Sequence, residues 1–232
     1  MRQLPLPFPE VPDFSPDDFV AASSNEAARR WLARPGEWPQ GRLALWGEAG
    51  VGKSHLLHIW AQGSGAAVLV GPGLRGLPPA PRAAMAVDDA DLAAEEASLL
   101  HLLNAAHEAG FAVLLAGREP PSRWQVRLAD LASRLASIHA VEVGAPDEAL
   151  LGVLFARLLS ARQLVLPPSL HGWLLARLPR HPAALGEAVA RLDRASLAAG
   201  RPVGRRMAVA ALGSLLDDDD LMPCSPPAPS LL

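Results

Sequence analysis

The sequence predicts an α/β fold: a parallel sheet with helices on both faces, followed by an all-helical unit. Three observations carry this. Short apolar runs alternate with helical patterns between residues 25 and 143. One run, Leu43–Trp46, leads straight into Gly47-Glu48-Ala49-Gly50-Val51-Gly52-Lys53-Ser54, which fits G-x-x-x-x-G-K-[ST], the phosphate-binding loop. After Pro146 the alternation stops and only helical patterns remain.

Residues 1–16 are Pro-rich and read as extended. A helix follows over Asn25–Ala33, with Ser23 or Ser24 as N-cap, and Arg34-Pro35-Gly36 ends it. Leu43–Trp46 reads as the first strand and Lys53–Gln62 as the helix after the loop. Ala66–Val70 and Ala83–Val87 read as the second and third strands. Ala93–Glu108 is a helix with Leu99, Leu100, Leu102 and Leu103 on its apolar side. Phe111–Leu115 and Ile138–Val143 complete the sheet. Asp147–Arg162, Pro168–Leu178, Pro182–Ala199 and Arg205–Leu216 read as helices of the second unit. Asp217–Asp220 and the Pro-rich stretch from Pro223 to Leu232 have the composition of a disordered tail. The expected organisation is an extended peptide (1–16), an α/β domain (17–145), a helical domain (146–216) and a tail (217–232).

Composition narrows the function classes. Half of the 232 residues are apolar, enough for a sizeable core. The formal net charge is −3, whereas a dedicated DNA-binding domain is usually basic. Any DNA contact is therefore expected to be indirect, although a local Arg patch stays open. The only cysteine, Cys224, permits no internal disulfide and no cysteine-based metal site. No continuous apolar leader and no spanning stretch occur, so the chain reads as cytoplasmic, without a membrane partner.

The one lysine of the chain lies inside the phosphate-binding loop; every other cationic side chain is Arg or His. Coding bias accounts for most of that pattern. With the motif, it marks a place that needs a flexible ammonium. Gly50 and Gly52 let backbone N–H groups wrap a phosphate. The helix N-terminus at Lys53-Ser54 adds partial positive charge. Lys53 reaches the outer phosphates and Ser54 ligates Mg²⁺ in such a loop. The nucleotide-binding set runs from Gly47 through His55. Met85-Ala86-Val87-Asp88-Asp89 is an apolar strand ending in carboxylates: Asp88 is the metal candidate and Asp89 the general-base candidate.

These residues resemble the DnaA-related AAA+ family, and within it the short paralogues of the Hda type, regulatory inactivators of the replication initiator. The likeness runs from the N-terminus to about residue 215. Gln3-Leu4-Pro5-Leu6-Pro7-Phe8 is similar to the family's clamp-binding peptide. Asp18-Phe19-Val20 with Ser24-Asn25 is similar to the segment beside the adenine, which implies Phe19 and Val20 as nucleotide contacts. Leu128–Leu135 resembles the stretch bearing the arginine finger, which implies Arg134 as the catalytic charge. Leu192–Ser196 resembles a late helix of the lid.

The resemblance implies an AAA+ core with a helical lid, ADP or ATP with Mg²⁺ as cofactor, and a replisome- and nucleoid-associated role. The implied partners are the DNA polymerase sliding clamp, bound through Gln3, Leu4, Leu6 and Phe8, and the DnaA initiator. Self-association is a further possibility. Pro5 and Pro7 hold the peptide extended, which lowers its ordering entropy on binding. After Leu216 an acidic run and a Pro-rich stretch are expected in place of the initiator's helix-turn-helix domain.

Two departures stand out. In Ala116-Gly117-Arg118-Glu119-Pro120-Pro121 the usual acid–Arg order of the sensor 1 turn is reversed. The family's sensor 2 Arg falls on Ala183, with Arg180 nearby. Losing a phosphate-facing Arg removes a charge-assisted contact, so intrinsic ATPase activity is expected to be weak. The leading expectation is an adaptor that stimulates hydrolysis in the initiator and prevents over-initiation. The alternatives are an autonomous AAA+ ATPase that remodels or loads a replication protein, and a nucleotide-stabilised scaffold on the clamp or DNA.

Overall fold

Five short strands pair in parallel in the order β2-β3-β4-β1-β5. They are β1 Arg42–Trp46, β2 Ala67–Val70, β3 Met85–Asp88, β4 Val113–Gly117 and β5 His139–Glu142. The computed structural model describes residues 14–16, 19–77, 81 and 83–216. The peptide residues Gln3, Leu4, Leu6 and Phe8, and the stretch 217–232, lie outside them.

Helices α1 (Ser23–Leu32), α2 (Lys53–Ser64), α3 (Glu96–Glu108) and α4 (Ala129–Ala136) cover the sheet. The central strands are buried on both faces and send alternate side chains into two cores. Leu43 and Leu45 of β1, with Leu114 and Ala116 of β4, pack against Ala28 of α1 and Leu56, Leu57 and Trp60 of α2. Ala44, Val113 and Leu115 pack on the other face with Leu99, Leu102 and Leu103 of α3 and Leu131 and Leu135 of α4. Each fully buried Leu contributes about 1.5–3 kcal/mol. The two faces together fix the register Leu43↔Leu114 and Leu43↔His139.

Several boundaries differ from the sequence reading. Helix α1 starts at Ser23, and Ala22, not Ser23 or Ser24, is the N-cap. The Asn25 side chain does the capping: its Oδ1 accepts from Ala22 N–H at 3.1 Å, and its Nδ2 donates to Val20 O at 3.0 Å. Asn25 thereby also fixes Val20. Residues Ala90–Leu92 form a 3₁₀ turn, so α3 begins at Glu96 and not at Ala93. Helix α4 is absent from the strand–helix alternation read above, although Leu131 and Leu135, four residues apart, form its buried face.

The chain divides into two compact units. Described residues up to Leu154 together with His181–Ala183 form the α/β unit; Phe155–Arg180 and the residues from Ala184 form the helical unit. The latter is built from the end of α5 (Glu148–Ala161), α6 (Pro168–Leu175), most of α7 (Pro182–Ala199) and α8 (Arg205–Leu212). Phe155, Leu174, Leu185, Ala188, Val189, Leu192, Ala208 and Leu212 form its interior. No helix among the described residues is long and apolar enough to cross a membrane.

Candidate functional site

The site forms where β1, β3 and β4 end on one edge of the sheet. Trp46 pairs with Gly117 and Val87 with Leu115, so the residues after all three strands converge. Residues 47–52 follow β1. Gly50 has φ +79° and Gly52 φ +103°, left-handed conformations that L side chains rarely adopt. Gly52 is the N-cap of α2, so the free N–H groups of that helix point toward the loop. Glu48, Ala49 and Val51 are carried along this loop, and Ser54 lies in the first turn of α2.

Lys53 is buried at 8 % exposure. Its Nζ donates to Gly47 O at 2.8 Å and to Glu48 O at 2.7 Å. An ammonium has three donors, so these carbonyls leave one for a ligand. Burial holds Lys53 below its ordinary value; Asp88, Asp91 and Asp89 oppose that shift, and Arg118 adds to it. A phosphate oxygen accepting the third Nζ donor would favour the charged ammonium against burial.

Asp88 closes β3, and its Oδ1 accepts the Asp89 N–H at 3.1 Å. Asp89 is left-handed at φ +48°, an uncommon conformation that Asp tolerates. Its carboxyl is pushed above the ordinary value by burial, then by Asp88 and Asp91; Arg118 and Lys53 pull it down. A raised value suits a group that takes a proton. No group of three or more His, Cys, Asp or Glu side chains among the described residues could hold a metal. Mg²⁺ bound here would depend on nucleotide oxygens with one or two protein ligands, Ser54 and Asp88 being the candidates.

Three residues that the sequence reading did not assign belong to this edge. Asp91 Oδ2 accepts the Arg118 N–H at 3.0 Å and ties the third strand's loop to the fourth strand's turn. Its Oδ1 is buried without a hydrogen-bond partner. The turn is tight: a Cβ at Gly117 would fall 2.7 Å from the Trp124 ring, whose Nε1 donates to Glu119 O at 2.7 Å. A cleft of about 540 Å³ is lined by Glu48, Ala49, Gly50, Arg118, Glu119, His181 and Ala183. His181 Nδ1 is 3.1 Å from where a Gly50 Cβ would be. Ala183 thus stands beside the phosphate-binding loop, and His181 brings an imidazole to the same wall. No local motif flags His181, because its place depends on a chain reversal of 130 residues.

On the other side of the loop, Phe19 lies 4.0 Å from where a Gly52 Cβ would be. His55 packs edge-on against Phe14 at 5.7 Å and Phe19 at 5.3 Å, and its Nε2 is 2.9 Å from Ser15 O. An apolar groove of about 630 Å³ continues past Phe19, walled by Leu32, Leu56, Ile59 and Trp60. Phe19 and His55 therefore gather beside the loop, where a flat, weakly polar ring finds apolar walls, while the Val20 carbonyl is held by Asn25.

Arg134 lies elsewhere. It sits in the last turn of α4, three residues before Ser137, and the chain then enters the start of β5. That is the opposite edge of the sheet from Lys53. A five-residue strand spans about 16 Å, so Arg134 is roughly a strand length from the loop. Arg42, at the start of β1, is on the same edge and is 2 % exposed. Its Nη2 donates to Leu103 O at 3.2 Å, while Nε and Nη1 have no hydrogen-bond partner. Burial, and then the like charge of Arg134, hold Arg42 below its ordinary value. Glu96 anchors the helix that carries Arg134: its carboxylate accepts from Arg127 N–H and Leu128 N–H at 2.9 Å.

Solved structures share this architecture. Domain III of the replication initiation protein DnaA from Thermotoga maritima superposes with a TM-score of 0.72 at 18 % identity, covering 90 % of this chain and 99 % of that one. This chain shares the fold of that domain. AMPPCP-bound DnaA from Aquifex aeolicus gives 0.61 at 16 % identity, covering 78 % of this chain and 65 % of that one. The RuvB Holliday junction branch migration motor of Thermotoga maritima gives 0.60 at 17 % identity, covering 82 % and 66 %. No protein-family model and no curated protein matches the sequence.

Proposed function

We propose that this chain is a nucleotide-bound AAA+ adaptor that stimulates ATP hydrolysis by a DnaA-type initiator, with Arg134 acting in trans. The observation that carries the reading is the separation of the two charges. Lys53 and Arg134 stand on opposite edges of one sheet, so Arg134 serves a phosphate other than the one at Lys53.

The Gly47–Ser54 loop holds ADP or ATP: loop and helix N–H groups with the spare Lys53 donor meet the phosphates, and the apolar groove beside Phe19 takes the base. The structurally similar Aquifex DnaA holds AMPPCP, which supports an adenine nucleotide. Ser54 and Asp88 hold Mg²⁺ with the nucleotide's oxygens. The cleft offers Arg118, His181 and Ala183 where a fixed phosphate-facing Arg is expected, so the nucleotide chiefly orders the module. Arg134, a planar donor that stays charged, stabilises the transition state on the initiator's ATP. The Gln3–Phe8 peptide tethers the chain to the sliding clamp; several equivalent pockets on a ring raise a weak contact by avidity.

The test is reconstitution with clamp, primed DNA and ATP-loaded initiator. Addition of the chain should accelerate initiator hydrolysis, and a Leu6→Ala/Phe8→Ala variant should lose the effect at low protein concentration. No stimulation by the unmodified chain sinks the proposal. Rapid turnover by the chain alone, abolished in Asp89→Ala, assigns it instead as an autonomous ATPase.

A further inference from the structure

The helical unit leaves two large apolar side chains in water. Val165, in the turn between α5 and α6, is 84 % exposed, and Leu197, near the end of α7, is 66 % exposed. Two clefts of this unit, of about 480 and 520 Å³, are both lined by Gln163, Leu164 and Val165. Leu197 and Arg201 complete the first cleft. The backbone fixes these walls. Leu164 N–H donates to Leu159 O at 2.9 Å, beside Gln163 with its left-handed φ of +54°. Ser196 Oγ donates to Arg201 O at 2.9 Å and closes the end of α7. A groove with fixed walls loses little entropy when a segment settles in it.

The described residues end within reach of this groove. Arg191 Nη1 donates to Ser214 Oγ at 2.7 Å, and Leu216 is buried. From Arg191 to Leu197 α7 rises by about 9 Å, whereas the five residues after Leu216 span at most about 16–18 Å. They and the next residue read Asp217-Asp218-Asp219-Asp220-Leu221-Met222, acids first and then two apolar side chains. The surface of α7 has the matching order. Arg194 comes first, 65 % exposed and only 3.9 Å from its one carboxylate contact, Glu187. Leu197 follows, with Arg201 on the cleft wall beyond it. Arg201 is exposed and makes no ion pair among the described residues. Residues 155–216 hold nine arginines and two carboxylates, and the four aspartates that follow supply the acids this unit lacks.

We propose that the groove between the 163–165 turn and the end of α7 docks the chain's own residues 217–222. Asp217–Asp220 meet Arg194 and Arg201, and Leu221 and Met222 cover Val165 and Leu197. The shared order of charge and hydropathy, together with the tether at Leu216, carries the choice of occupant. A segment held by so short a tether acts at a high effective concentration, so a shallow apolar contact and a few exposed ion pairs suffice. Covering Val165 and Leu197 takes their apolar surface out of water. This contact lies within the helical unit and its tail, and it is independent of the nucleotide, of a clamp tether and of Arg134.

Cys224, the only cysteine, follows Met222 by two residues, so a nitroxide attached to it reports on the segment in the otherwise unaltered full chain. The methyl resonances of Val165 and Leu197 should broaden while the nitroxide is paramagnetic and recover when it is reduced. Leu221→Ser/Met222→Ser should lower the docked-to-free ratio at least about tenfold. Arg194→Ala/Arg201→Ala should lower it about two- to tenfold, and added salt should act in the same direction. Circular dichroism melting checks that the arginine variant folds. Absence of broadening at Val165 and Leu197 overturns the proposal, as does equal broadening in the Leu221→Ser/Met222→Ser variant. An unchanged ratio in the arginine variant overturns the placement of Asp217–Asp220. Broadening that arises only between mixed spin-labelled and isotope-labelled chains, and grows with concentration, assigns the groove to a second copy and overturns the proposal as well.

Discussion

The two edges of the α/β sheet make an instructive pair. At the edge where the strands end, Lys53 is buried, bonded to two carbonyls and faced by Asp88, Asp89 and Asp91. At the edge where they begin, Arg42 is buried and the like charge of Arg134 adds to the burial that holds it below its ordinary value. One edge is a self-contained cradle whose charges nearly balance. The other brings two like charges within reach of each other. On the proposed reading, the same sheet separates holding a nucleotide from offering a charge to one.

The largest effect that tests this contrast is Arg134→Ala. An arginine finger is worth about 10³-fold or more in turnover, so stimulation of the initiator should vanish while ADP affinity stays constant. Loss of ADP binding in that variant would erase the distinction between the edges. Lys53→Ala comes next. Removing its charge-assisted bonds should weaken ADP binding by about 10²-fold in calorimetry. Unchanged affinity would overturn the phosphate assignment.

Glu96→Gln should act more mildly, on the Arg134 edge alone. The Arg127 and Leu128 N–H groups hold the Glu96 carboxyl below its ordinary value. A lowered carboxyl stabilises the fold above its unfolded value and loses that contribution as pH falls through the folded one. Stimulation should drop about three- to tenfold, with faster amide exchange in α4 and unaltered nucleotide affinity. The wild-type chain should show the same loosening of α4 in acid, and the Gln variant should not respond to pH there.

The smallest effect concerns Asp89, whose carboxyl is raised by folding. Its penalty is absent below the unfolded value of 3.8 and complete once pH passes the folded value. Asp89→Asn should therefore raise the melting temperature of the nucleotide-free chain at pH 7 by less than about 2 °C, and not at pH 3. A decrease at pH 7 would mean that the Asp89 charge is compensated by its neighbours.

Much of this architecture was legible locally. The phosphate-binding loop announces itself because its chemistry needs glycines, lysine and serine at fixed spacing between a strand and a helix. The strands that meet at β1 and β4 were readable because burial on both faces demands continuous apolar runs. Asp88 and Asp89 were visible as acids ending such a run. Helix α4 was not read, although Leu131 and Leu135 mark its buried face at helical spacing. The Ser23/Ser24 cap was misplaced because Asn25, two positions inward, makes the capping bonds and carries Val20 with it. Asp91 looked like one more acid in an acidic turn until its bond to Arg118 joined two strands distant in sequence.

By itself the sequence determined the strand–helix alternation, the phosphate loop and the charges available, because these follow from residue type and short-range spacing. Only the tertiary structure decided which charges meet. Parallel pairing brought Lys53, Asp89, Asp91 and Arg118 to one edge and sent Arg134 to the other. The return of the chain set His181 beside Gly50, and helix packing put Arg177 and Arg205 over Trp173. Side chains far apart in the chain meet only when burial of the apolar faces fixes strand order and helix placement, and no local pattern encodes that outcome.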